Sequence, residues 1–244
     1  MKQNKYDDER FFENYSRMPR SVGGLGAAGE WSELRTMLPE LAGKRLLDLG
    51  CGYGWHGRYA REQGARSAVG VDLSDKMLAR AREMTDDPAI SYVRGGIEDI
   101  DFADGAFDVV LSSLALHYVA DFGAVCRGVR RWLASGGAFV FTVEHPVFTA
   151  LAAQDWHYGP QGEKLHWPLD RYHEAGPRVA RFLDHDVVKY HRTVSDYVNA
   201  LIDADFRIDR LSELRPTPDM LQQHPEWADE ARRPMFLLVA AGKA

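Results

Sequence analysis

The chain has 244 residues, of which 45% are hydrophobic, 27% charged and 11% aromatic. This composition is typical of a globular protein with a sizeable core, and it excludes the disordered, fibrous and disulfide-stapled classes. The formal net charge of −6 leaves no overall positive field to attract a phosphate backbone, so we do not expect nucleic acid as a partner.

The N-terminal part, residues 1–43, is predicted to form a helical lid. Its first aromatic side chains recur at an approximately helical spacing: Tyr6, Phe11, Phe12 and Tyr15. The glycine-rich segment 21–31 is expected to be a loop before another helix begins. The first ten residues are charged where a secretory signal needs an apolar stretch.

Between residues 44 and 144, short apolar runs alternate with amphipathic segments, and this pattern predicts alternating strands and helices. We expect strands at 44–50, 67–73, 90–96, 107–113 and 136–144. We expect helices at 55–64, 74–83 and 122–133. Such alternation gives a parallel sheet with right-handed crossovers, so the predicted fold class is α/β and doubly wound.

The alternation stops after Glu144, and we interpret residues 145–192 as an inserted cap. Within it, residues 178–191 favour two antiparallel strands around a turn at 184–186. The cap is rich in histidine: His145, His157, His166, His173, His185 and His191. Because no two of them have HxH or HxxxH spacing, we predict no metal site.

After the cap, a helix is predicted from Thr193, which with Asp196 makes a variant of the capping box. Strands at 206–214 and 234–243 are expected to close the sheet, joined by a long loop with one helical turn. The chain is thus expected to be a single domain. Its four parts are the lid at 1–43, a cofactor-binding core at 44–144, the cap at 145–192 and closing elements at 193–244.

The most specific local signal is the loop Gly50-x-Gly52-x-Gly54 between a strand and a helix. Glycines there let a ligand approach the main chain closely, although a plain tight turn is the alternative. Asp72 ends the next strand about 20 residues later, where a carboxylate that binds ribose hydroxyls is expected. Together these features predict an adenosine-containing cofactor.

A dinucleotide oxidoreductase is the first candidate for such a cofactor, but the sequence disfavours it. The sixth position of a G-x-G-x-x-G fingerprint needs glycine, and here it holds Trp55. No tyrosine is followed four residues later by lysine, so a Tyr-x-x-x-Lys pair is also missing.

The segments LLDLGCGYG, VGVDLSDKML, GGIEDIDF and FDVVLSSLALHYV, taken in order, resemble the class I S-adenosylmethionine-dependent methyltransferases, specifically the small-molecule, type 11 branch. The resemblance implies a Rossmann-like, mostly parallel, seven-stranded sheet whose last strand, PMFLLVAAGK, is reversed. It also implies S-adenosylmethionine as the cofactor.

By this resemblance the cofactor-binding residues can be assigned. The methionyl arm would lie along Asp48, Gly50, Cys51, Gly52 and Gly54. Asp72 would hold the ribose, Leu73 and Met77 would pack on adenine, and Ser113 belongs to the floor of the site. The family often has Asp where Gly96 stands here, so the adenine edge would be contacted by the main chain near Ile97 or by Glu98.

On the acceptor side, His117, Glu144 and His145 follow the fourth and fifth predicted strands, at the edge where ligands bind in open α/β sheets. A histidine of near-neutral pKa could take a proton from the acceptor, so these three are the catalytic candidates. Alternatively, His117 only forms part of the floor of the cofactor site. Glu144 and His145 would then simply be the end of a strand, which Pro146 terminates. Substrate contacts are predicted from Tyr15, Tyr118, Trp156 and Trp167.

The function predicted from the sequence is methyl transfer from S-adenosylmethionine to a small-molecule acceptor, at O, N or C. The alternative is a non-catalytic sensor of S-adenosylmethionine or S-adenosylhomocysteine, or a partner subunit. The two cysteines, Cys51 and Cys126, match no metal pattern and suit a reducing compartment. We expect a cytoplasmic monomer or homodimer that partners neither nucleic acid nor a membrane.

Overall fold

The computed structural model describes residues 3–244. Its centre is a seven-stranded sheet with the strand order β10-β11-β5-β4-β1-β2-β3. These strands are β1 (Arg45–Leu49), β2 (Ser67–Asp72), β3 (Ile90–Arg94), β4 (Phe107–Ser113), β5 (Leu133–Glu144), β10 (Phe206–Glu213) and β11 (Phe236–Lys243). The strands of the 44–144 region pair in parallel. β11 is antiparallel to both of its neighbours, β5 and β10, which confirms the predicted α/β fold with a reversed last strand.

Helices join and cover these strands. They are α1 (Glu9–Ser16), α2 (Pro19–Gly23), α3 (Trp31–Met37), α4 (Trp55–Glu62), α5 (Asp75–Glu83), α6 (Phe122–Trp132), α7 (Pro146–Thr149), α8 (Val194–Asp203) and α9 (Pro218–Gln223). Local capping explains several of the starts. Ser74 caps α5 and Asp121 caps α6, and Thr193 with Asp196 forms the predicted capping box at α8.

The core has two sides because strand side chains alternate between the faces of the sheet. Along β5, Phe139 and Phe141 are fully buried on the face covered by α6 and α8. Val140 lies on the other face with Leu34 of α3. Both faces are therefore covered, as expected for parallel strands that read as continuous apolar runs, and ligand access is left to the strand ends.

The lid region is more helical than its glycines suggest. The segment expected to be a loop at 21–31 contains the end of α2, a 3-10 helix at Gly24–Ala27 and the start of α3, so that prediction was wrong. Gly24 has φ of 62°, and a Cβ there would lie 2.9 Å from the Trp55 ring. Glycine is required at this point for a close approach to Trp55, not for an extended loop.

The cap contains α7 and two hairpins. They are built from β6 (His157–Tyr158) with β7 (Lys164–His166), and from β8 (Gly176–Phe182) with β9 (His185–His191). The predicted antiparallel pair is thus confirmed, with its turn one residue earlier, at Leu183 and Asp184, which both have positive φ. The long loop expected before β11 is largely helical, with α9 followed by a 3-10 helix at Pro225–Arg232.

In the described part of the chain, residues 3–244, no helix has the length and apolar character needed to cross a membrane. Over the same residues, no group of three or more His, Cys, Asp or Glu side chains is arranged to hold a metal ion.

Candidate functional site

The glycine loop between β1 and α4 wraps the carboxyl end of β2. Gly50 and Cys51 donate backbone hydrogen bonds to the Val71 carbonyl oxygen at 2.8 and 2.9 Å. Gly50 has φ of 77°, and a Cβ there would lie 2.3 Å from the Ala115 Cβ. Gly52 has φ of 51°, but a Cβ there would meet nothing within 4 Å. The loop is therefore tightly packed against Ala115 at Gly50 but open at Gly52, which leaves room for a ligand against the Gly52 main chain.

Asp72 stands at the carboxyl end of β2, directly beside this loop. Its carboxylate oxygens accept hydrogen bonds from the Gly52 and Ser74 backbone amides, both at 2.9 Å. Burial, with a smaller contribution from the Asp48 and Asp7 carboxylates, raises the pKa of Asp72 to about 6, although the two backbone hydrogen bonds oppose the rise. The carboxylate is fixed in direction and retains free lone pairs for hydroxyl donors.

Asp48, on β1, is almost completely buried, with 1% of its surface exposed. Neither carboxylate oxygen has a hydrogen-bond partner among residues 3–244. The nearest basic atom is His56 Nδ1, 3.6 Å from Asp48 Oδ2. Because a buried carboxylate without a partner is costly, the site suits a ligand that brings a cationic group to Asp48.

Apolar side chains and a thiol line the same end of the sheet. Met77 and Cys51 are buried, and Ile97 lies against the Gly50 loop. Burial raises the pKa of the Cys51 thiol well above its usual value, so it stays neutral and serves as a small packing group. Glu98 has a different set of contacts, because its Oε1 accepts hydrogen bonds from the Ala120 and Asp121 amides at 2.9 and 3.0 Å.

A second polar group lies at the ends of β4 and β5. Lys189 Nζ donates to Glu144 Oε1 at 2.5 Å and to Gln154 Oε1 at 2.9 Å, and Gln154 Nε2 donates to Glu144 Oε2 at 2.9 Å. His117 Nδ1 accepts a hydrogen bond from the Glu144 amide at 3.4 Å. The structure thus brings the candidates His117 and Glu144 together and adds two cap residues.

His145 has a structural set of contacts. Its Nδ1 accepts the Val147 amide at 3.0 Å and thereby caps α7. Its Nε2 lies 2.9 Å from Glu213 Oε1, on β10. Both ring nitrogens are therefore engaged away from His117, and neither is free to accept a proton from a ligand without loss of a contact.

Tyrosines of the lid cover the site. The Tyr6 ring packs edge-on against Tyr15 with centroids 5.3 Å apart, and Tyr15 packs against Tyr53 of the glycine loop at 5.9 Å. Burial and the neighbouring Tyr118 phenol raise the pKa of Tyr6. Burial raises the pKa of Tyr118 well above its usual value, so this phenol stays protonated. Tyr15 of the lid and Tyr118 are thus both neighbours of Tyr6.

The other two predicted substrate residues lie elsewhere. Trp156 and Trp167 pack together with ring centroids 5.4 Å apart. Trp167 stacks on Phe148, and the Arg233 guanidinium lies over both tryptophans at 5.5 and 4.3 Å. Their ring contacts are with this cap cluster, not with Tyr15 or Tyr118.

The sequence alone did not single out four residues of the site. Lys189 and Gln154 come from the cap, and Arg20 and Glu30 from the lid. Glu30 is buried, is paired with Arg20 and accepts a hydrogen bond from Ser113 Oγ at 3.3 Å. Single polar residues in segments without periodicity gave no signal for these partners, because the contacts depend on how the lid and cap fold against the sheet.

Comparison with known proteins shows what this arrangement is similar to. A family model described as a methyltransferase domain matches residues 47–141. A crystal structure of an S-adenosylmethionine-dependent methyltransferase from Mesorhizobium loti is 47% identical, with a TM-score of 0.86, and covers 90% of this chain and 100% of that chain.

Among curated proteins, an uncharacterized protein of Haemophilus influenzae is 33% identical over 98% of this chain and 96% of its own length. An N-demethylindolmycin N-methyltransferase of Streptomyces griseus is 29% identical over 80% of this chain and 78% of its own length. The similarity to both proteins extends well beyond the glycine loop.

Proposed function

The chain belongs to the S-adenosylmethionine-dependent methyltransferases, and from this premise we propose that it methylates a small-molecule acceptor held beneath the lid. The single observation that carries the proposal is the enclosed polar group of His117, Glu144 and Lys189, which lies at the same sheet edge as Asp48 and Asp72. The cofactor, S-adenosylmethionine, supplies an electrophilic methyl group on a sulfonium.

The residues present fit this cofactor. The unpartnered Asp48 carboxylate suits its ammonium, and the fixed Asp72 carboxylate suits the ribose hydroxyls. Further cofactor contacts are proposed for Gly50, Cys51, Gly52, Gly54, Leu73, Met77, Ile97 and Ser113. Glu98 is proposed to act indirectly, since its carboxylate holds the Ala120–Asp121 backbone.

The acceptor side is proposed to lie between Tyr15, Tyr118, His117 and Glu144. We propose that His145 orients the end of β5, and that Trp156 and Trp167 stiffen the cap instead of touching the acceptor. The lid packs directly against the cap hairpin, where Phe11 is fully buried against Phe182 and His185. This close packing leaves little space between lid and cap and therefore supports a small acceptor. The Streptomyces griseus relative is also named for a small-molecule acceptor.

We also propose that the four parts of the chain act as one domain. These parts are residues 3–43, 44–144, 145–192 and 193–244.

The proposal is tested by following S-adenosylhomocysteine release while the protein is incubated with S-adenosylmethionine and a panel of small amines, carboxylic acids and phenols. Release that depends on one acceptor, and that is absent with protein or nucleic acid substrates, is the expected result. Tight binding of S-adenosylhomocysteine without release for any acceptor would favour a sensor or partner subunit instead.

Cofactor binding is expected to depend on pH through Asp72. Because a carboxylate is a better partner for ribose hydroxyls than a carboxylic acid, S-adenosylhomocysteine affinity should be constant above the Asp72 pKa of about 6. Below that value it should fall about tenfold per pH unit. Calorimetric titration between about pH 4.5 and about pH 8 measures this, and Asp72→Asn should abolish the dependence.

In the ligand-free protein, the contribution of Asp72 to stability should change with pH in the opposite direction to cofactor affinity. The folded pKa of Asp72 is raised above its unfolded value, so its contribution to the free energy of unfolding is fully present below the unfolded pKa. That contribution is lost as pH rises through about 6. An unchanged difference between wild type and Asp72→Asn across this range would contradict the assignment.

The lid is expected to contribute to cofactor affinity through Asp7. Its Oδ1 accepts hydrogen bonds from Ser74 Oγ at 2.6 Å and from the Lys76 amide at 3.1 Å, which fastens the lid to the start of α5. Asp7→Asn should weaken S-adenosylhomocysteine binding by about threefold to tenfold in calorimetry, with a stability loss of about 1 kcal/mol. The exposed Asp86→Asn is the matched control, and equal affinities of the two variants would exclude this role of the lid.

A further inference from the structure

The turn after β4 gives His117 a specific partner. At the end of β5, the His145 amide bonds the Met235 carbonyl oxygen at 2.8 Å, on the β11 side. Because successive strand amides alternate in direction, the Glu144 amide faces the β4 side. There β4 has already ended, and Leu114 turns away with φ of 53°. His117 Nδ1 takes the place of the missing strand carbonyl and accepts this amide at 3.4 Å.

This hydrogen bond fixes the tautomer of the His117 ring. A neutral imidazole that accepts at Nδ1 carries its proton on Nε2. The ring is neutral because burial lowers the pKa of His117 to about 4, assisted by the charges of Lys189, Arg192 and Arg20 and opposed by Glu144. The hydrogen bond found for His117 within residues 3–244 is the one to Nδ1, although the residue is only 2% exposed. His117 therefore presents a buried N–H donor and no basic nitrogen.

No neighbouring group is well placed to remove a proton. Both carboxylate oxygens of Glu144 are engaged, by Lys189 and Gln154. Burial raises the pKa of Glu144, but the Lys189 ammonium and the hydrogen bonds from Lys189 and Gln154 help to hold that pKa below its usual value. Tyr118, adjacent to His117, remains protonated. The acceptor end of the site therefore offers hydrogen-bond donors, on His117 and Tyr118, and a Glu144–Lys189 ion pair, but no free base.

We infer that His117 donates a hydrogen bond from Nε2 to the methyl acceptor and does not act as its base. The acceptor class that fits is a nucleophile that keeps one lone pair for the methyl group while another accepts the hydrogen bond, and a carboxylate meets this requirement at neutral pH. This inference rests on the proposed function. In the reaction, the acceptor lone pair forms the bond to the methyl carbon while the electrons of the carbon–sulfur bond return to sulfur. A carboxylate has no proton to lose, so the step needs no base.

The tautomer can be measured without any acceptor. Nitrogen-15 spectra of histidine-labelled protein, with the His117 signals assigned by their loss in His117→Gln, distinguish a protonated Nε2 from a protonated Nδ1. We expect the Nε2–H form throughout about pH 5.5 to 8, with no titration. An Nδ1–H form, or a titration midpoint in that range, would overturn the inference whether or not the protein proves to be a methyltransferase.

Once an acceptor is known, variants separate a donor from a base. His117→Leu should lower kcat/KM by about 10- to 100-fold, the loss of one buried hydrogen bond. His117→Gln keeps an N–H near the Nε2 position and should recover most of that loss. S-adenosylhomocysteine affinity should not change in either variant. The matched pair His173→Gln and His173→Leu, at an exposed cap position, should match wild type.

The pH profile completes the test. The kcat/KM profile of wild type should show no ionisation of the enzyme between the Asp72 pKa of about 6 and about pH 8. The inference would be overturned if His117→Gln and His117→Leu lost kcat/KM equally and if a wild-type ionisation near neutral pH disappeared in both variants. That combination would show that His117 acts as a base. Absence of S-adenosylhomocysteine release with every acceptor would instead refute the proposed function and leave the tautomer result standing.

Discussion

Replacement of Asp72 by alanine is expected to weaken S-adenosylhomocysteine binding by about 100-fold to 1,000-fold in calorimetric titration. A hydrogen bond to a charged group contributes about 1.5–3 kcal/mol, and a ribose offers two hydroxyls to one carboxylate. The variant also removes the acceptor of the Gly52 and Ser74 amides, which hold the glycine loop against the end of β2. Loss of ribose contacts and loss of loop order act in the same direction.

The matched control for this prediction is Asp75→Ala. Asp75 begins α5 three residues later, but its side chain is exposed and forms an ion pair with the exposed Arg94, at 3.1 Å. This variant should bind S-adenosylhomocysteine as wild type does. Asp72→Asn is a second variant, since it preserves the size of the side chain while removing its charge. Wild-type affinity in Asp72→Ala would show that the ribose is held elsewhere.

The second large effect is expected at Asp48, where stability and binding should change in opposite directions. Asp48→Asn removes a buried charge that has no hydrogen-bond partner among residues 3–244, so the free energy of unfolding of the ligand-free protein should rise by about 1–3 kcal/mol. The same variant removes the proposed partner of the cofactor ammonium. Affinity for S-adenosylhomocysteine should therefore fall by about 10- to 100-fold.

Chemical denaturation of the ligand-free protein measures this effect. Asp108→Asn is the matched control, because Asp108 accepts hydrogen bonds from Arg45 Nε and Nη2 at 3.0 and 2.9 Å, at the opposite end of the sheet. That variant should lose stability and keep its cofactor affinity. A loss of stability in Asp48→Asn as large as that in Asp108→Asn would mean that the Asp48 charge is compensated in the ligand-free protein.

The sequence was most informative where structure is decided locally. The order of strands and helices from 44 to 144 follows from apolar runs and caps such as Ser74, and the structure has it in the expected order. The glycine loop and Asp72 are also local features, because a strand end, a tight turn and a helix start determine where they lie. Trp55, which argued against a dinucleotide cofactor, packs against Gly24 and stacks under Arg58.

The rest of the site depends on contacts that no local pattern records. Glu144 and His145 are adjacent in sequence and were grouped as candidates, but strand alternation sends one toward Lys189 and the other toward Glu213 on β10. Gln3 bonds the Val188 amide across most of the chain, and Arg20 reaches Glu30 within the lid. Such pairings arise from how the lid and cap pack on the sheet, and isolated charged residues do not reveal them.

The most direct test of the cofactor site is a crystal structure of the protein with S-adenosylhomocysteine. We expect the ribose hydroxyls within hydrogen-bonding distance of the Asp72 carboxylate, the ammonium facing Asp48 and the sulfur directed toward His117. Density for the ligand away from the Gly50–Gly54 loop, or a ribose held by residues other than Asp72, would contradict the account.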